Sequence, residues 1–353
     1  MANGLIVPSR IGQIQGPGGD ADALFLKVFA NEVLTSFEES NVMKNLHTVR
    51  TISSGKSAQF PVIGKATAKY HTPGEDVFEE TNGTKYPSVI QHNERIIVID
   101  DVLIAATSVA NIDELKNHYD VRSTYSTEIG RALSKRFDIA TMKTLVGAAS
   151  GHHENISGVT GDGIYIEASG NGLGGVATAA ELIDTFTLLA QKLDENDIPA
   201  EDRFIIVTPA QYHALSAADS AAINKDFGNT GSGSAGTVFS LAGIQIVKSN
   251  HLQDIITLGA SQDADDDNAN NHPFDTSTAG GSGSSDTGGY GGNADLTNLK
   301  LIGGHKSAIG TVKLLDLAVE SEYSMSKQSH LMLAKYAMGH GILRPEAAMA
   351  VWA

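Results

Sequence analysis

Five groups of residues have the types and spacing that chemistry uses. Gly170, Gly172 and Gly175, in "GIYIEASGNGLGGVATAAELIDTF", fit G-x-G-x-x-G between a strand and a helix. Glycines so placed let a backbone approach a pyrophosphate at a helix N-terminus, which raises a soluble NAD-binding enzyme as one reading. The acidic residue that should hold the ribose is missing, because the next strand, "RFIIVTP", ends in Thr208 and Pro209. The pattern also recurs at Gly231, Gly233 and Gly236, and 37 glycines among 353 positions give about 0.4 matches by chance. Gly55-Lys56-Ser57 ends like a phosphate loop. Arg50 stands where the first glycine belongs, though, and "AQFPVIG" reads as a strand rather than the required helix. Asp263, Asp265 and Asp267 have calcium-loop spacing, yet Asn268 takes the glycine place and Phe274 the last ligand place. His152, His153 and Glu154 are adjacent in a loop, where neighbouring histidines do not readily face one ion. His340, between Gly339 and Gly341, lacks nearby partner residues and reads as a packed histidine at a turn. No Ser-His-Asp set follows from spacing, and no G-x-S-x-G elbow is present. The chain is expected to have no catalytic residue, no cofactor and no metal site, and to be no enzyme.

The elements around these residues read as a mixture. Residues 1 to about 20 are rich in Gly, Pro and Gln, without a period. "DALFLKVFANEVLTSFEES" then spaces Leu24, Phe25, Val28, Phe29, Val33, Leu34 and Phe37 as a short amphipathic helix. Residues 46–99 alternate as strands with Gly, Pro and Thr between them, a two-stranded arm with little to fill a core. From 111 to 149 the period is helical. Ile112, Leu115, Tyr119, Ile129, Leu133 and Ala140 form one stripe, Asn111 is a plausible N-cap, and Gly130 is placed to permit a slight bend. At 1.5 Å per residue that is a rod of roughly 50 Å. Strands "GIYIEAS", "RFIIVTP" and "GIQIVKS" alternate with helices "TAAELIDTFTLLAQKLDEN" and "PAQYHALSAA" to give a mixed domain. Residues 259–294 hold six aspartates and no Lys or Arg, a low-complexity acidic Gly/Asp-rich loop that buries no core. The last block reads as helix or strand, then a long strand.

Totals narrow the classes. Hydrophobic residues are 41% and charged residues 19%, enough for a folded core. Cysteine is absent, so disulfides, thiolate metal ligands and cysteine nucleophiles are excluded. There are 41 Asp+Glu against 25 Lys+Arg, a net charge of −16, and no basic cluster. Such a surface repels nucleic acid. The start "MANGLIVPSRIGQIQ" lacks the pattern of a signal peptide. The longest apolar stretch, "IIVIDDVLIAA", is short and carries Asp100 and Asp101, so no membrane span is expected.

Long segments do more than any motif. "ALFLKVFANEVLTSFE", "VRTISSGKSAQFPVIGKATAKYHTPGE", "NHYDVRSTYSTEIGRAL", "SAIGTVKLLDLAVE" and "AKYAMGHGILRPEAA" closely resemble the major capsid proteins of T-seven-like short-tailed phages, the autographivirus or podovirus type, with a cyanophage as the expected source. The likeness is near-continuous from about 22 to 140 and from about 300 to 351. It is looser from 150 to 298, and the acidic loop departs from it.

The resemblance implies an α+β fold of the Hong Kong ninety-seven capsid type. It places an N-terminal arm at 1–47, an extended β-hairpin loop at 48–95, and a peripheral domain with the long spine helix at 96–150. An axial domain spans 151–315 and includes the loop 259–294. The C-terminal strands of the peripheral domain and the tail occupy 316–353. It implies self-assembly into hexamers and pentamers of an icosahedral head that encloses double-stranded DNA without sequence-specific binding. Implied partners are a scaffolding protein, a portal protein at one vertex and a decoration or minor capsid protein. The implied place is the virion capsid, assembled in the bacterial cytoplasm. An encapsulin-type compartment shell would share this fold.

Overall fold

The computed structural model describes residues 41–63, 92–99, 101–110, 121–151, 162–168, 175–215, 240–258, 298–326 and 328–353. It also describes separate positions at 33, 35–37, 66, 68, 70, 71, 73, 74, 76, 90, 231, 232, 237, 238 and 296. Its strands are β1 (Thr48–Thr51), β2 (Ser57–Ile63), β3 (His92–Val98), β4 (Leu103–Ala110), β5 (Ile164–Glu167), β6 (Arg203–Val207), β7 (Gly231–Ser232) and β8 (Thr237–Val238). After these come β9 (Ser240–Leu241), β10 (Ile244–Lys248), β11 (Leu299–His305), β12 (Ile309–Ser324), β13 (Ser329–Ile342) and β14 (Ala348–Trp352). The helices are α1 (Val121–Ala149), α2 (Ala179–Glu195), α3 (Pro209–Leu215) and α4 (Asn250–Leu258).

The chain divides into two compact units. One draws its described residues from 1–41, 100–138 and 313–338, the other from 42–99, 139–312 and 339–353. The long elements α1, β12 and β13 each contribute to both. Strand order in the four-stranded sheet is β1-β12-β13-β4, and the hairpin β2-β3 stands as a separate two-stranded sheet.

In the first unit β13 pairs antiparallel with β4, from Ser329 opposite Ala110 to Tyr336 opposite Leu103. Period 2 then sends Met332, Ala334 and Tyr336 into the core. There Phe37, Phe137 and Tyr336 form an edge-to-face triangle with centroids 6.1, 6.2 and 6.5 Å apart. Such ring pairs add about 0.5–1.5 kcal/mol each beyond the area they bury. The helical turn that carries Val33, Ser36 and Phe37 lies against α1. A Cβ on Gly130 would sit 2.8 Å from both Ser36 Cβ and the Val33 carbonyl oxygen. Gly130 is thus the point where two backbones touch, and α1 runs unbroken from Val121 to Ala149. The expected helix began at 111, and residues 111–120 lie outside the described residues.

The second unit is built on a six-stranded sheet of order β5-β14-β11-β6-β10-β9. β10 runs parallel to β6 and β14 parallel to β5, while β11 is antiparallel to both β6 and β14. All five residues of β6 and all five of β14 are buried. Strands covered on both faces need continuous apolar runs, which "FIIV" and "AMAV" supply. Along α2, residues Leu182, Thr185, Phe186, Leu189 and Leu193 are buried at three- and four-residue steps, the spacing of one helical face. Thr178 and Glu181 form a capping box at its start.

Candidate assembly site

Most of the sequence motifs for small-molecule chemistry fall outside the described residues. Gly170 and Gly172 lie outside the described residues, as do His152, His153, Glu154, Asp263, Asp265 and Asp267. Gly175 is a turn residue with open space around it. The helix after it begins with its amides already used. The Glu181 carboxylate accepts from Ala177 N–H at 3.0 Å and Thr178 N–H at 3.2 Å, bonds that hold its pKa below the ordinary range. A pyrophosphate would have to displace an anion belonging to the chain itself. β5 and β6, the strands flanking that helix, are separated by β14 and β11. A dinucleotide fold requires them in one parallel sheet around a crossover. Gly55, at φ +120°, ends a loop that leads into β2, so the phosphate-loop reading fails as the sequence indicated. Among the described residues no group of His, Asp or Glu side chains could hold a metal ion, and no helix is long and apolar enough to cross a membrane.

His340 does find partners, and they come from far away in sequence. Thr311 Oγ1 lies 2.8 Å from His340 Nδ1 and 2.7 Å from His47 Nε2, and His47 Nδ1 lies 2.6 Å from the Met43 carbonyl oxygen. A carbonyl only accepts, so His47 donates from Nδ1. With both rings neutral, His47 Nε2 then accepts from the Thr311 hydroxyl. That hydroxyl has one proton, so its oxygen accepts from Nδ1–H of His340. The residue retains some exposure, but its ring is packed in protein. Burial, and secondarily the neighbouring His47, push the His340 pKa down from 6.5 to about 3. The flanking glycines are there because β3 crosses over them. An added Cβ would lie 2.1 Å from the Val98 carbonyl oxygen at Gly339 and 2.6 Å from Ile97 Cγ1 at Gly341. The separation of 264 positions between His47 and Thr311 left no pattern from which this cluster could be read.

Among the described residues, one face of the hairpin is left uncovered. Its register pairs Ala58 with Ile97 and Gln59 with Ile96, down to Ile63 with His92. Ala58 and Ile97 turn inward, pack on Val312 and are flanked by Ile52, Phe60, Ile99 and Leu343. The arm that looked bare in sequence therefore has a small core at its base. Arg50 secures the same end, its Nη1 donating to the Gln59 carbonyl at 2.8 Å. The opposite face carries Ser57, Gln59, Glu94 and His92 and, among them, three exposed aliphatic side chains, Ile63 at 63% exposure, Ile96 at 55% and Val98. Covering what remains exposed of each would contribute about 1 kcal/mol. Two strands that expose large aliphatic side chains, with no further strand paired to them among the described residues, suit a surface that another chain covers.

A family model for the Gp10A-like major capsid protein matches residues 59–352. The chain belongs to that family. It is 36% identical to the major capsid protein of Escherichia phage T7, over 97% of this chain and 96% of the relative. The minor capsid protein of the same phage is also 36% identical, with 83% of its length covered. The solved capsid structure of cyanophage P-SCSP1u superposes with a TM-score of 0.67 at 33% identity, covering 99% of each chain. The fold is accordingly the α+β capsid type of Hong Kong ninety-seven. The chain is a structural protein of the phage virion, in a family of shell proteins rather than enzymes.

Proposed function

We propose that this capsid protein closes into hexameric and pentameric rings of an icosahedral head around double-stranded DNA. A scaffolding protein directs assembly, a portal occupies one vertex, and a minor form of the shell protein takes part. The observation that carries this reading is the hairpin, whose base is packed on its own subunit while its outer face exposes Ile63, Ile96 and Val98. That face lies over a neighbouring subunit. Residues 1–47 act as the N-terminal arm and 48–95 as the extended loop. Residues 96–150 with the long strands of 316–342 form the peripheral domain, and 151–315, joined by β14, the axial domain at ring centres. The net charge of −16 keeps packed DNA from adhering to the inner wall. Coexpression with the phage's scaffolding protein, followed by electron microscopy, tests this. Closed shells are expected, and small soluble oligomers alone would overturn it. Family membership favours a phage head over an encapsulin-type compartment, and titration with a fluorescent nicotinamide dinucleotide is expected to show no saturable binding.

A further inference from the structure

Among the described residues β2 and β3 pair with no other strand, so the hairpin has two free edges as well as an outer face. Backbone groups in an antiparallel pair turn alternately toward the partner strand and toward the free edge. Ile99 N–H donates to the Lys56 carbonyl at 2.9 Å, which extends the β2–β3 register by one pair and fixes the alternation. Ala58, Phe60 and Val62 therefore turn their backbone groups to β3, while Ser57, Gln59, Pro61 and Ile63 turn theirs to the outer edge of β2. That edge is blocked at its centre. Pro61 has no N–H to donate. The Gln59 carbonyl is already taken, because Arg50 Nη1 donates to it at 2.8 Å. A second contact holds Arg50 in place, its guanidinium carbon lying 5.5 Å from the Phe60 ring centroid. On β3 the outward positions are His92, Glu94, Ile96 and Val98. The Glu94 N–H is satisfied within its own strand, donating to Asn93 Oδ1 at 2.8 Å. The Val98 carbonyl lies against β13, where a Cβ added to Gly339 would meet it at 2.1 Å.

An incoming strand needs a donor and an acceptor at every second residue of the edge it joins. On β2 it would find the acceptor at Gln59 occupied and the donor at Pro61 missing, and it would have to displace a fixed cation. Proline and charge are what exposed strand edges carry where pairing with another chain is to be prevented. We infer that Arg50 and Pro61, with Asn93 on the other strand, close the hairpin to strand addition and so keep unassembled copies of this chain from joining edge to edge. The inference goes beyond the shell-protein reading, because it concerns the free subunit and holds whether or not shells form.

The full-length chain is tested without scaffolding protein. Pro61→Val restores a donor, Arg50→Ala frees the Gln59 carbonyl, and the double variant does both. Thr178→Ala serves as the comparison, since it lowers subunit stability at a helix cap and leaves both closures in place. Thioflavin fluorescence and light scattering follow aggregation at equal concentrations, and urea unfolding measures each variant's stability. The double variant is expected to aggregate at least about tenfold faster than the parent, and Pro61→Val alone at least about threefold, because an opened edge templates pairing. Thr178→Ala should stay within about twofold of the parent, as its strand edges are unchanged. In the double variant's aggregates the amides of residues 57–63 should exchange with deuterium at least about tenfold more slowly than in the soluble parent, as newly paired amides do. Aggregation of the double variant at the parent's rate, or no faster than that of Thr178→Ala, would overturn the inference. So would aggregates in which residues 57–63 exchange as before, since the chains would then be joined elsewhere. If urea unfolding shows that the double variant has lost its fold, Pro61→Val decides alone, because it adds an N–H and removes no hydrogen bond. Its aggregation at the parent's rate then overturns the inference. Failure of the parent to form shells with scaffolding protein is a different result, and counts against the shell reading alone.

Discussion

His340 is a histidine that folding keeps from its proton. Its pKa falls from 6.5 to about 3, so between those values the unfolded chain binds a proton that the folded chain refuses. Stability therefore rises with pH across that window and is lost as pH falls from about 6.5 toward about 3. This group contributes at most about 1.4 kcal/mol per pH unit. Urea unfolding of the unassembled subunit at pH 7.5 and at pH 5, for the parent chain and His340→Asn, measures it. The variant is expected to lose less stability on acidification than the parent, and equal slopes would contradict the assignment. Thr311→Val should cost about 1–3 kcal/mol at neutral pH, because both imidazoles lose the hydroxyl they share. Gly339→Ala is the harsher change. Its new methyl group would meet backbone, the Val98 carbonyl oxygen at 2.1 Å, and the expected loss is about 3 kcal/mol or more. Thermal melting of the subunit checks both.

Among the elements, the hairpin separates folding from assembly by its two faces. The inner row, Ala58 and Ile97, belongs to a small core with Val312. Removing the whole arm would damage that core, whereas polar changes on the outer row should spare it. Ile96→Asp is expected to leave the subunit's melting temperature within about 2 °C of the parent, as surface changes usually cost less than 0.5 kcal/mol. The same change should abolish closed particles in electron micrographs. A variant that assembled normally would show that this face stays in solvent. At the start of α2 the capping box can be tested separately, since Thr178→Ala should cost about 1 kcal/mol in subunit stability.

For the whole molecule the dominant quantity is charge. Every subunit carries a net −16, and bringing many of them into one shell gathers like charge. Salt shortens the range of that repulsion, to about 10 Å at 0.1 M and about 3 Å at 1 M. Light scattering during scaffold-directed assembly is therefore expected to show a shorter lag at about 0.3 M salt than at about 0.05 M. A lag that lengthens with salt would mean that attraction between opposite charges, not apolar burial, dominates the subunit interfaces.

Sequence periodicity alone determined β6, α2, α3 and β10, because each contains a local repeat of 2 or 3.6 residues, or an apolar run bounded by Pro or Gly, that survives without its neighbours. Long unbroken segments also carried the family, since thirty residues in register hold more information than three glycines. Only the tertiary structure decided the rest. The run "AMAVW" became an interior strand, β14, through pairing with β11 and with the distant β5, whose Ile164 lies opposite Met349. α4 was not legible because, among the described side chains of this short helix, only Leu252 and Ile255 are buried, too short a stripe to separate from a loop. Gly130 looked like a place for a bend and proved to be a place of contact, and His340 acquired its role from Thr311 and His47. The physical reason is common to all of these. A local pattern records which face of an element is buried, but what that face meets is set by segments whose separation along the chain leaves no trace in spacing.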